Sequence, residues 1–157
     1  MDWLMLVLRL IHVGGGAMWV GMMAFMVFFL TPAIAEAGPA EGGKLMAALQ
    51  RQRIMIIMPV IALLTIGSGV WLMLRAYGGP GNLAASRMGM ALNVGALAAI
   101  VAFLIGIIFM RPAMMRATVT TDPAEAQRLR ARGAMLGRLV ARLLMLALAA
   151  MAVARYL

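Results

Sequence analysis

Arg9-Leu-Ile-His-Val-Gly-Gly-Gly-Ala-Met-Trp-Val-Gly21 lies inside an unbroken apolar segment that runs from about Trp3 to Leu30. The stretch holds the only histidine of the chain, three consecutive glycines and a tryptophan. A hydrocarbon core about 30 Å thick is crossed by roughly 20 helical residues, so the segment is long enough to span a membrane. On a helix, His12, Gly15, Gly16 and Trp19 stand at i, i+3, i+4 and i+7 and share one face. That face sets an imidazole beside a patch free of side chains. A second helix can approach closely there, or a flat cofactor can lie against it.

Working outward, three further segments meet the same length criterion: Ile54 to Leu74, about Arg87 to Met110, and about Ala134 to Val153. Thr31-Pro32 is expected to end the first span, because proline offers no backbone N–H and its ring crowds the preceding turn. Gly38-Pro39 reinforces the break, and Glu41 to Arg53 reads as an amphipathic helical approach to the second span. Pro59 is expected to kink that second span, which stops before Tyr77-Gly-Gly-Pro-Gly81. Arg111-Pro112 closes the third. Asp122-Pro123-Ala-Glu125 is a helix start, with a capping aspartate, proline in the first turn and glutamate at the positive end of the helix dipole.

Composition agrees with four spans. The chain of 157 residues is 65% hydrophobic and 12% charged, whereas a soluble domain is about half apolar and about a quarter charged. The expected fold is therefore an all-α integral membrane four-helix bundle, one transmembrane domain over residues 1–157, made of two tandem helical hairpins. Absence of cysteine excludes disulfides, thiolate metal sites and cysteine nucleophiles. The net charge of +9 does not indicate nucleic acid, because the basic residues flank the apolar runs, where topology and anionic lipid explain them. A cleavable signal is not expected, since Asp2 stands where a basic region would and the first apolar run is too long.

Lys44, Arg51, Arg53, Arg111, Arg116, Arg128, Arg130, Arg132 and Arg138 lie in or beside the loops after spans one and three. The opposite side carries Arg9, Arg75, Arg87 and Arg155. By the positive-inside rule the first group is cytoplasmic, and both termini of this multi-pass bacterial inner-membrane protein face the periplasm. A faint repeat at a shift of 80 residues pairs Phe29 with Phe109, Pro32 with Pro112, and Leu63-Leu64 with Leu143-Leu144. It implies a pseudo-two-fold axis along the membrane normal, with helices one and three as counterparts.

Polar groups within spans are the candidates for function, because burying them in lipid is costly. They are Arg9, His12, Thr65, Ser68, Asn93, Arg138 and Arg142. By depth, His12, Ser68 and Asn93 are able to meet in the outer half of one bundle. His12 has two readings: an axial ligand to a haem or other tetrapyrrole, with Gly15 and Gly16 leaving room for the ring, or a packing residue bonded across a helix interface. Arg9 either pairs with an anionic group of such a cofactor or snorkels to the interface. The 18 methionines could bind Cu(I) if they converged, but they distribute toward both ends of the spans and read as adaptable packing. No carboxylate lies within a span, and no phosphate loop, zinc pattern or nucleophile–base pair is present. No catalytic residue is assigned, and a small transporter is disfavoured.

Leu10-Ile-His12-Val-Gly-Gly-Gly-Ala-Met-Trp19-Val-Gly21, followed by Pro32, resembles the first helix of the CopD-like family of small bacterial membrane proteins. Leu64-Thr-Ile-Gly67-Ser-Gly69-Val-Trp71-Leu is similar to that family's second helix, and the HemJ-type protoporphyrinogen oxidases look similar over the same half. The resemblance implies an inner-membrane helical bundle connected with copper or haem b, with His12 at the family's first-helix histidine. This chain has no second histidine. Two functions are therefore expected as alternatives. One is a non-catalytic accessory subunit that packs among lipids and other membrane subunits of an electron-transfer or photosynthetic complex. The other is a binder of haem b, another tetrapyrrole or copper, with His12 as the metal ligand and Arg9, Gly15, Gly16, Ser68 and Asn93 around it.

Overall fold

The computed structural model describes residues 2–157. Among these residues there is no strand, and four long apolar helices form a bundle. They are α1 (Trp3–Ala37), α3 (Ile54–Tyr77), α5 (Arg87–Val119) and α6 (Pro123–Ala154). Two short helices connect them: α2 (Pro39–Arg51) between α1 and α3, and α4 (Pro80–Leu83) between α3 and α5. Each hairpin pairs its own helices most extensively, α1 along α3 and α5 along α6, and the hairpins meet through α1–α6 and α3–α5. Both termini and the α3–α5 connection lie at one end, here the terminal end. The α1–α3 and α5–α6 connections form the loop end.

The helix starts follow local chemistry. Asp2 accepts from Met5 N (3.2 Å) and pairs with Arg75 at the end of α3 (3.1 Å), which fastens the first hairpin at the terminal end. Ser86 accepts from Gly89 N (3.0 Å), and Asp122 accepts from Ala124 N (2.9 Å). Gly38 (φ 87°) separates α1 from α2, and Gly78 (φ 73°) ends α3 in the left-handed conformation that glycine adopts without a steric penalty.

Two helices run on where proline was expected to end them. α1 passes through Pro32 to Ala37, and α5 passes through Pro112 to Val119. In each case the turn before the proline widens into a π-helical segment, Met26–Leu30 in α1 and Gly106–Met110 in α5. Thr31 N donates to Met26 O and Arg111 N to Gly106 O, five residues back. The wider turn moves the crowded carbonyl away from the proline ring, so the helix is re-aimed and continues. The two π segments are 80 positions apart, the spacing of the faint repeat. The repeat is therefore visible in backbone geometry as well as in letters.

The core is a layer at mid-height to which all four long helices contribute. Trp19 and Met23 of α1, Ala62 of α3, Ala102 of α5, and Val140 and Leu144 of α6 are buried together. Trp19 meets Phe103 edge-on, with ring centroids 6.5 Å apart. One large indole is accommodated beside Phe103 because the buried α3 and α5 members of the layer are alanines, Ala62 and Ala102, the latter with no exposed surface.

Candidate functional site

Two regions flank the core layer. Toward the terminal end lies the polar cluster built on His12. Toward the loop end the four helices part around a cavity.

His12 Nδ1 lies 2.8 Å from the backbone oxygen of Thr65. A carbonyl can only accept, so Nδ1 carries a proton, and in the neutral imidazole Nε2 then presents its lone pair. The same Thr65 oxygen accepts from Ser68 Oγ at 3.0 Å, while Ser68 Oγ also lies 2.6 Å from Leu64 O. The Thr65 hydroxyl donates to Ile61 O (2.8 Å). Thr65 and Ser68, both buried, thus satisfy their hydroxyls within their own helix, as residues of this kind do in an apolar environment.

Reciprocal small-for-large packing holds the cluster. A methyl group on Gly15 would sit 2.5 Å from Thr65 Oγ1, and one on Gly69 would sit 2.6 Å from His12 Cε1. Each helix gives a glycine to the bulky residue of the other, and the two backbones close to the separation that the His12–Thr65 bond needs. The bare patch beside the imidazole is occupied by Thr65 of α3, whose Cγ2 also faces Gly16 (3.6 Å from an added Cβ).

Of the residues proposed from sequence, His12, Gly15, Gly16 and Ser68 come together, and Thr65 is their centre. Asn93 does not join them: its Nδ2 donates to Pro80 O (3.2 Å) and ties α5 to the short α4. Arg9 is exposed. Thr65 had been noted as an intramembrane polar residue, but the role of its backbone oxygen carries no signature in the letters. Among the described residues no group of three histidine, cysteine or acidic side chains is placed to hold a metal ion. A metal at this site would have His12 Nε2 as its imidazole ligand.

The loop-end cavity has a volume of about 870 Å³. Its floor is the core layer, and Gln50, Thr118 and Arg130 stand among its exposed lining residues. From Val140 to Ala126 it follows α6 for about 21 Å. Methionines from three helices share it: Met22, Met23 and Met26 of α1, Met55 and Met58 of α3, and Met110 and Met114 of α5. Met46 of α2 joins them. Seven of these were expected toward the inner ends of the spans, and the structure adds that with Met46 they face one space, while Met5, Met73, Met88, Met90, Met145 and Met151 are not among its lining. Position along the span was legible, but the direction each side chain takes depends on how the helices are rotated against one another. Arg111, Arg130 and Arg138 also line the cavity, and the lining contains no aspartate or glutamate.

Compared with protein-family models, with curated proteins and with solved structures, the chain matches none.

Proposed function

We propose that this chain is a non-catalytic accessory subunit of a bacterial inner membrane, packing against other membrane subunits of an electron-transfer or photosynthetic complex. The basic loop end faces the cytoplasm and both termini face the periplasm, a reading supported by the lysine and arginine asymmetry between the two ends. The observation that carries the proposal is the division of the α1 glycines between two faces. Gly15 and Gly16 are filled by Thr65, but Gly14 and Gly21 have nothing opposite them. Gly14 and Gly21 are two turns apart on an exposed face, with the exposed Ala17 between them. Such notches let a neighbouring transmembrane helix approach closely.

Filling the notches tests this. Gly14→Leu combined with Gly21→Leu should reduce co-purifying subunits at least about tenfold, because a close helix contact tolerates no added bulk. Thermal stability of the isolated chain should hold within a few degrees, since an added Cβ at either position meets nothing within 4 Å. Partners retained in full would refute the subunit reading. Gentle solubilisation from the native membrane followed by gel analysis supplies the measurement.

A second reading, a cofactor binder, is favoured by one specific contact. Metal-bound histidines commonly donate their other ring N–H to a backbone carbonyl, and His12 does so to Thr65. Under this reading His12→Ala abolishes a Soret band in protein purified from its native membrane. Under the subunit reading the protein is colourless, and the same substitution costs about 1 kcal/mol from the lost hydrogen bond.

A further inference from the structure

We infer that the loop-end cavity takes an acyl chain of an anionic membrane phospholipid, with the phosphate held by Arg111 and Arg130. Three observations carry this beyond the accessory-subunit reading. First, the cavity is large and mostly apolar, about 870 Å³ in volume, within the roughly 300–1,000 Å³ of ordinary ligand sites. Left empty, it would forfeit the dispersion contacts of its lining. Water would lack the two to four polar partners each molecule needs along most of its length. A hydrocarbon chain meets neither difficulty, and flexible methionine thioethers can pack around it.

Second, the lining carries three guanidinium groups and no carboxylate. Arg111 Nε is buried without a hydrogen-bond partner, the only such buried side-chain nitrogen or oxygen among the described residues. The unpaired Nε marks a guanidinium for which the chain supplies no acceptor at that atom, and its terminal nitrogens are the ones able to meet a ligand. Glu125, on the first turn of α6, is already engaged by Thr120 (2.8 Å) and lies 3.9 Å from Arg116. A phosphate oxygen accepts charge-assisted hydrogen bonds from guanidinium groups in the geometry that arginine offers.

Third, helix register sets head and tail at matching depths. Arg111 follows Ala102 by nine residues on α5, and Arg130 precedes Val140 by ten on α6. Both therefore stand about 14–15 Å from the core layer toward the loop end. Arg138 stands eight residues, about 12 Å, deeper than Arg130 on the same helix, so it lies beside the chain rather than the phosphate. The headgroup sits at the Arg111–Arg130 level, and the chain runs from there to Trp19. The bilayer supplies this ligand at the headgroup depth where basic side chains meet anionic lipid.

Trp19 is the reporter for the test. It is 5% exposed, whereas Trp3 and Trp71 are 68% and 53% exposed. With Trp3→Phe and Trp71→Phe in place, the full chain is reconstituted in phosphatidylcholine vesicles doped with brominated-chain phosphatidylglycerol or, separately, brominated-chain phosphatidylcholine. The expected result is Trp19 quenching at least about twofold stronger with the anionic lipid at equal mole fraction. Arg111→Gln with Arg130→Gln should bring quenching by the two lipids to equality, because the charge-assisted contacts to phosphate are gone, while Arg111→Lys retains most of the difference. The lipid comparison needs no arginine variant, so a variant that fails to fold does not decide the outcome. Equal quenching by the two lipids, or none, overturns the proposal. So does quenching by brominated free fatty acid without quenching by brominated phosphatidylglycerol, which would make a free amphiphile the occupant. Quenching by added Cu(I) that is indifferent to lipid charge would assign the cavity to its methionines instead.

Discussion

Gly89→Ala is expected to destabilise the folded chain by about 3 kcal/mol, the upper part of the range for inserting bulk into a packed site. Gly89 is buried in the first turn of α5, where Ser86 caps it. A methyl group there would overlap the backbone carbonyl of Leu83. Backbone does not rotate aside as a side chain does. Leu83 itself is 2% exposed, and Asn93 holds the neighbouring Pro80 oxygen, so α4 is pinned on both sides. The whole α3–α5 connection would have to move. Gly106→Ala is the matched control, because an added Cβ there meets nothing within 4 Å. It should be neutral or stabilising by up to about 1 kcal/mol through helix propensity. Reversible unfolding in mixed micelles gives both values. A Gly89→Ala midpoint equal to that of Gly106→Ala would show that α4 is free to shift.

Trp19→Ala is expected to cost about 2–3 kcal/mol. In water-soluble cores a tryptophan-to-alanine change costs about 3–5 kcal/mol. In lipid the transfer part of that figure largely disappears, because the surrounding chains are as apolar as the core. Lost packing and the void remain. The void cannot collapse easily, since Ala62 and Ala102 of the same layer have little to extend into it, and Phe103 loses its edge-on partner. The substitution also removes the floor between the methionine-lined cavity and the His12 cluster. Trp19→Phe should recover more than half of the loss. Equal stability of Trp19→Ala and the unaltered chain would mean that the core layer contributes nothing to the bundle.

The His12 cluster shows how far letters reach toward a site. His12, Gly15 and Gly16 were legible as one helix face, because their spacing matches the helical period. Ser68 was legible as a polar group at a similar depth. Asn93 has similar depth too, yet it bonds to α4, because depth fixes position along the membrane normal and leaves rotation about the helix axis open. A backbone oxygen as the acceptor for both His12 and Ser68 could not be read from side-chain types at all.

The sequence by itself determined that the chain is an all-α bundle of four apolar helices and where most of those helices begin. Apolar length and capping chemistry act within a few neighbouring residues, so they are written locally. Tertiary structure decided the rest. It carried α1 and α5 past Pro32 and Pro112, where packing against the rest of the bundle favours a widened turn over a break. It turned separate methionines and arginines toward one cavity, because which face of a helix looks inward depends on neighbours distant in sequence. It also filled the bare patch beside His12 with Thr65, since close packing between helices outweighs the space that glycine leaves only when a particular partner side chain fits.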